Sequence, residues 1–266
     1  MKRHCNHLCG LQRTPRFLPG CLLQLLVWLS VPICAVVVMA NLTAQEIASH
    51  SSTAEISGYF PFQIGSRWTY KVVSETADGR GTQKARGRFS DTVIAIDSAF
   101  GPAVQLVEIE ENGIAPDYAF CHDAPRPLKW WYVVNNQKVF SRCTQQEAEE
   151  LGSSLKASPQ TDIVDGLEYL LPFHVGALWG ADPEDQDRTD VMYQWSIDDK
   201  TDVKVQAGKF KGCYDILFRT MPDHEERWIC PGVGLTSLEY EHHGTVHHYL
   251  IELQSYSIGT PVLSHK

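Results

Sequence analysis

The sequence predicts an all-β fold, mainly antiparallel: a curved sheet or half-barrel built from two related halves, with one short helix. Three observations predict it. Period-two alternation of apolar and polar residues recurs about every ten residues from Tyr59 onward, which places one face of each strand in a core. A turn-into-strand segment occurs twice, 111 positions apart: Pro61-Phe62-Gln63-Ile64-Gly65-Ser66-Arg67-Trp68 and Pro172-Phe173-His174-Val175-Gly176-Ala177-Leu178-Trp179. Only one stretch carries a helix start signal, the capping box Thr144-Gln145-Gln146-Glu147.

The first 40 residues carry four basic groups and no acidic ones. Their apolar run, Cys21 to Ala40, follows a basic stretch. Two readings stay open: a signal peptide cut after Val38-Met39-Ala40, or a retained N-terminal membrane anchor. Both leave Asn41 onward outside the cytoplasm, so the predicted localisation is exported: periplasmic, extracellular, or anchored by the N-terminal segment. Leu18-Pro19-Gly20-Cys21 precedes the apolar core, which rules against lipidation at Cys21. The sequon Asn41-Leu42-Thr43 sits at the expected cut and reads as accidental. The expected division is a leader 1–40, a flexible tether 41–57, one β-rich domain 58–258 with halves about 59–165 and 170–258, and a tail 259–266.

Trp68-Thr69-Tyr70-Lys71-Val72 alternates as a half-buried strand, with Trp68, Tyr70 and Val72 on one face. Similar runs are Asp91–Asp97, Ala103–Glu110, Leu128–Val134, Lys138–Cys143, Val203–Val205, Cys213–Arg219, Arg227–Cys230, Leu235–Glu241 and Thr245–Tyr256. Asn135-Asn136 and His243-Gly244 supply turn chemistry. The helix is expected from the Thr144 cap through Leu151, ending at Gly152. In the twice-used segment, Pro fixes the entry φ, Gly permits a positive φ, and Trp starts a strand with a large anchor. Gly87-Arg88-Phe89 and Gly208-Lys209-Phe210 form a weaker second echo.

Charge excludes one class of partner. Setting the first 40 residues aside moves the net charge from −9 to −13, and no Lys/Arg stripe works against that field, so nucleic acid is not an expected partner. A membrane is expected as a partner only through the N-terminal segment, if it is uncleaved. Gly-x-Ser-x-Gly, His-Glu-x-x-His and phosphate-cradling glycine loops do not occur, so no enzyme, catalytic residue or cofactor is predicted.

Four cysteines follow the leader: Cys121, Cys143, Cys213 and Cys230. Cys213 opens a strand, Met221-Pro222-Asp223 turns the chain, and Arg227-Trp228-Ile229 returns to Cys230. The midpoint of 213 and 230 falls in that turn, so antiparallel pairing sets the two cysteines opposite each other. Tyr214 then faces Ile229, and Ile216 faces Arg227. Directly opposed Cβ atoms lie ~4.5–5.5 Å apart, close to the ~3.5–4.5 Å of a disulfide. Cys121 and Cys143 pair by elimination.

Two ligand sites are expected from side chains. If Gly244-Thr245 turns the chain, His242 opposes His247 and Glu241 opposes His248, a spacing at which His242 and His247 could share a metal; the alternative is a solvated hairpin tip. The aromatics Trp68, Tyr70, Trp130, Trp131, Tyr132, Trp179, Trp195 and Trp228 either form the core or line an apolar cavity in the curved sheet. The acidic loop Asp182–Asp190 lacks a calcium register and reads as solvated or as a weak cation site.

Tyr59-Phe60-Pro61-Phe62-x-x-Gly65-x-x-Trp68-x-Tyr70, Gly208-Lys209-Phe210-x-x-Cys213 and Pro231-Gly232-Val233-Gly234-Leu235 resemble the motifs of a group of exported bacterial β-rich proteins. Those motifs read Y-x-P-[LF]-x-x-G-x-x-W-x-Y, G-x-F-x-x-C and A-P-G-V-G-L/V. This chain departs by carrying Cys230 where a small residue usually precedes Pro-Gly-Val-Gly. The resemblance spans Tyr59 to Ser257 and implies a curved antiparallel sheet outside the cytoplasm; it implies no reaction. The expected function is therefore an exported non-enzymatic envelope protein that binds an apolar small molecule or an envelope protein. The alternatives are a metal-binding protein using the His242–His248 hairpin, and a structural membrane-anchored envelope protein.

Overall fold

A computed structural model describes residues 56–78, 81–114, 128–158, 163–181, 184–185 and 187–260. The predicted leader, Asn41 and Cys121 lie outside the described residues. A helical turn, α1 (residues 56–59), enters the domain. Ile56 is buried there. Twelve strands follow. The first six are β1 (Arg67–Asp78), β2 (Gly81–Asp97), β3 (Val104–Ile114), β4 (Leu128–Asn135), β5 (Lys138–Arg142) and β6 (Leu167–Leu170), with the helix α2 (Gln145–Ala157) between β5 and β6. The rest are β7 (Leu178–Trp179), β8 (Trp195–Val205), β9 (Gly208–Arg219), β10 (Asp223–Cys230), β11 (Gly234–His242) and β12 (His247–Ser257).

All twelve belong to one antiparallel sheet in the order β6-β5-β4-β3-β2-β1-β12-β11-β10-β9-β8-β7. Each strand from β2 to β5 and from β8 to β11 therefore pairs with both its sequence neighbours, and β1 pairs with β12, the first strand with the last. The sheet is a nearly closed, barrel-like meander whose seam lies between β6 and β7. Across that seam the Trp179 indole N–H donates to the Glu168 carbonyl at 3.3 Å.

The twice-used segment makes the same turn each time. The Gly65 N–H donates to the Val93 carbonyl, the Val93 N–H to the Ser66 carbonyl, and the Ser66 N–H to the Gln63 carbonyl, at 2.8–2.9 Å. In the second copy Gly176 donates to Ile197, Ile197 to Ala177, and Ala177 to His174, at 2.8–3.1 Å. Gly65 and Gly176 have φ of 85° and 87°, the left-handed region that suits glycine. The weaker echo is not placed alike: Gly87 lies within β2 opposite Val72, whereas Gly208 opens β9.

The period-two faces explain the core. Trp68, Tyr70 and Val72 of β1, Phe89 and Val93 of β2, and Ile109 of β3 are buried on one face, with Ile216, Ile229, Leu238 and Ile251 on the other half of the sheet. Each fully buried aliphatic side chain of this kind contributes ~1.5–3 kcal/mol. The helix α2 lies against β3, β4 and β5 and buries Ala148, Leu151 and Leu155. Both halves of the capping box form at Thr144 and Glu147. Gly152 does not end this helix, as the sequence reading expects. It is buried within it, and a Cβ there would stand 3.1 Å from Leu106 Cδ1 and 3.2 Å from the Phe100 ring. Glycine is used here for close packing, and the helix runs on to Ala157.

The hairpin β9–β10 has the expected register, with Tyr214 opposite Ile229, Asp215 opposite Trp228 and Ile216 opposite Arg227. Cys213 and Cys230 form a disulfide, their Cα atoms 4.1 Å apart. Cys143 is also disulfide-bonded; its expected partner, Cys121, lies outside the described residues.

Candidate functional site

Alternation along β2 and β3 carries two carboxylates onto the apolar face. Phe89 and Val93 are buried inward, so Asp91 between them points the same way; Ile109 does the same for Glu111. The two residues are direct partners in the β2–β3 ladder, beside Trp68 of β1. Glu111 is 1% exposed. Asp91 Oδ1 is buried without a hydrogen-bond partner. Burial pushes the Asp91 carboxyl well above the ordinary carboxylate range, and the Glu111 charge opposite adds to the effect.

Asp91 lines an interior cavity of about 70 Å³, walled by Trp68, Tyr70, Trp130 and Tyr169 and rimmed by the half-buried Phe62 and Tyr132. The loop between β10 and β11 closes one side through Val233 and Leu235. It is fixed there because the Trp68 indole N–H donates to the Val233 carbonyl at 2.7 Å and the Tyr70 hydroxyl to the Leu235 carbonyl at 3.2 Å. Burial, then the Asp91 charge, raises the Tyr70 hydroxyl pKa, so Tyr70 stays a neutral donor. The Pro61-to-Trp68 turn and the Pro231-to-Leu235 loop, far apart in sequence, thus build one wall together. The cavity is well below the ~300–1,000 Å³ that engulfs a drug-sized ligand. It has room for about two waters at the ~30 Å³ each occupies in the liquid.

The predicted lining residues divide. Trp68 and Tyr70 line this cavity, as do Trp130 and Tyr132. Trp131 does not: it pairs with Glu108 and Arg142 on the opposite face of β4, one residue out of phase with Trp130. Trp228 likewise takes the face opposite Arg227 and pairs with Asp215 and Ser237. Trp179 and Trp195 stack on each other at 6.4 Å near the seam. Trp195 serves there as a platform for Arg227, whose guanidinium carbon lies 4.3 Å from its ring centroid. Arg227 also pairs with Glu168 and Glu225 and donates to the Tyr169 hydroxyl at 3.2 Å. The reading from sequence missed Asp91, Glu111, Phe60, Phe62 and Tyr169. For Asp91 the signal was present: a carboxylate in phase with Phe89 and Val93.

The histidine hairpin has the expected register, His242 opposite His247 and Glu241 opposite His248. Two of its histidines are hydrogen-bonded to acids. His242 Nδ1 lies 2.7 Å from Asp223 Oδ1, which also accepts from the Tyr240 hydroxyl at 2.6 Å. Those bonds, Tyr240 first, lower the Asp223 pKa, while burial and Asp223 push Tyr240 up to about 12. His248 is bonded to Glu239 at 2.9 Å. Among the described residues no three His, Cys, Asp or Glu side chains are placed to hold one metal ion. In the acidic loop, Asp182 lies outside the described residues; Arg188 pairs with Asp185 and Asp190 and covers the Tyr193 ring.

No protein-family model matches the chain, and no curated protein matches it. Several solved structures are similar in part. A Bacteroides fragilis protein described as exported, with a YmcC-like fold, is 12% identical, with 75% of this chain and 99% of that chain covered and a TM-score of 0.39. A Parabacteroides distasonis protein described as a lipoprotein is 16% identical over 75% of this chain and 98% of that one, with a TM-score of 0.37. MucB of Pseudomonas aeruginosa, solved with MucA, is 10% identical over 82% of this chain and 59% of that one, with a TM-score of 0.32.

Proposed function

We propose that the chain is an exported, non-enzymatic envelope protein that holds a small ligand inside its curved β-sheet. The observation that carries this reading is the interior cavity: aromatic walls, a fixed loop on one side, and a carboxylate oxygen, Asp91 Oδ1, left without a partner. A fold that merely filled its core would bury a methyl group there rather than a carboxyl, since an unsatisfied buried polar atom costs ~1–3 kcal/mol. Export is supported by the basic start and apolar run that precede the domain and by the Cys213–Cys230 disulfide, a bond that persists in oxidising compartments. Elsewhere Asp223 is bonded to Tyr240 and His242, and Arg227 to Glu168 and Glu225, whereas Gln63, Asn135 and His247 each bury a side-chain atom without a partner, as Asp91 does.

Native mass spectrometry on protein purified from the cells that make it tests the reading. A fraction carrying a discrete small adduct, lost on unfolding, is the expected result. Uniformly ligand-free protein would overturn it. The intact mass of the same material decides between a cut leader and an anchor, because cleavage after Ala40 removes the entire apolar run.

A further inference from the structure

Resting on that reading of the cavity, we propose that it takes a small organic cation, an alkylated ammonium group held between Asp91 and the faces of the surrounding rings. Three features of the cavity select this chemistry over a neutral apolar ligand. Four aromatic side chains, Trp68, Tyr70, Trp130 and Tyr169, form its walls, and Trp and Tyr rings attract cations through their negative faces. Asp91 presents the wall's carboxylate, and its Oδ1 has neither solvent nor a hydrogen-bond partner. Glu111 stands directly across the ladder from Asp91 and adds negative charge on that side of the cavity. Among the described residues no Lys or Arg lines the cavity; Arg227, which lies over the Tyr169 ring at 5.7 Å, is already bound by Glu168 and Glu225.

Size narrows the class. A cavity of about 70 Å³ suits a small methylated ammonium head and excludes a folded acyl chain. The half-buried Phe62 and Tyr132, their ring centroids 5.1 Å apart, pack against each other as the cavity's rim. On the loop side the Val233 and Leu235 carbonyls already accept from Trp68 and Tyr70, which holds them in place. Asp91 is the acidic side chain of the lining.

The test is a calorimetric titration of the folded, disulfide-intact protein with choline and with 3,3-dimethylbutan-1-ol, which carries carbon in place of the ammonium nitrogen. Choline is expected to saturate one site and to bind at least tenfold tighter than the alcohol. In Asp91→Asn, checked for native circular dichroism and an intact Cys213–Cys230 bond, that preference is expected to vanish. Equal affinity of the two probes for the unaltered protein overturns the cation assignment while leaving a neutral ligand site. A preference for choline that survives Asp91→Asn overturns the role of the carboxylate, and saturation by neither probe overturns the cavity as a binding site altogether. Phosphatidylcholine vesicles supply a further arm: co-flotation assigns the ammonium to a lipid headgroup, and choline saturation without flotation assigns it to a free compound.

Discussion

Arg227 is the residue whose loss the domain should tolerate least. Its side chain is 10% exposed, pairs with Glu168 and Glu225, and lies on the Trp195 ring, so it joins β10 to β6 and β8 at once. Removing one partner of such a buried network leaves uncompensated charge, at about 3–5 kcal/mol. Arg227→Met should lower the unfolding free energy by about that amount in urea titrations, and adding Glu168→Gln should recover part of it. Asp215 makes the opposite kind of prediction. Burial, then Glu226, raises its carboxyl from 3.8 to about 7. Between those values the folded protein keeps a proton that the unfolded chain has released, so stability falls as pH rises through the window. Asp215→Asn removes that loss. Its melting temperature should match the unaltered protein below pH 4 and exceed it at pH 8, by the equivalent of about 1 kcal/mol once solvent screening is allowed for. The inward carboxylates were legible in the sequence only as a phase. Asp91 shares its parity with Phe89 and Val93, yet nothing in one strand shows that Glu111 of the next will stand opposite it. Trp131 was misplaced for the same reason, since three consecutive aromatics, Trp130, Trp131 and Tyr132, do not announce which parity faces in.

At the scale of elements, strands with one wet face could be read and strands without a contrast could not. The β9–β10 hairpin was legible to the residue because Cys213, Met221-Pro222-Asp223 and Cys230 fix its centre. Replacing both cysteines by serine should cost about 3 kcal/mol, read as a lower denaturation midpoint with native spectra retained at low denaturant. The β8 strand, by contrast, runs from Trp195 to Val205, and only its end was expected. Its middle, Asp198 to Thr201, is mostly exposed, so apolar alternation has nothing to report there. β6 and β7, of four and two residues, are shorter than any pattern can declare. Glycine misled once and informs once. Gly152 reads as a helix stop but serves packing against Leu106. Gly113, at φ 121°, sits where a Cβ would collide with the Arg88 carbonyl oxygen. Gly113→Ala should therefore pry β3 from β2 beside Asp91 and Glu111, appearing as a loss of stability and as faster hydrogen exchange in both strands.

For the whole molecule, the order of the sheet explains why a cavity exists at all. A twelve-strand meander joined at β1 and β12 wraps around an interior too wide for its own strands to fill. Side chains from α1, from the Pro61 turn and from the Pro231 loop enter to occupy it, and the space they leave lies between Asp91 and the rings. A curved antiparallel fold could be anticipated, but the joining of its two halves depends on β1 meeting β12, a contact between the two ends of the domain that no local pattern encodes. The measurement that bears most directly on this account is a crystal structure, at a resolution that shows ordered solvent, of protein isolated from the cells that make it. The account predicts electron density for a compact group within hydrogen-bonding distance of Asp91 Oδ1 and in contact with Trp68, Tyr70 and Trp130. Rings collapsed into the space, with Asp91 bonded to Glu111 and no room between them, would contradict it.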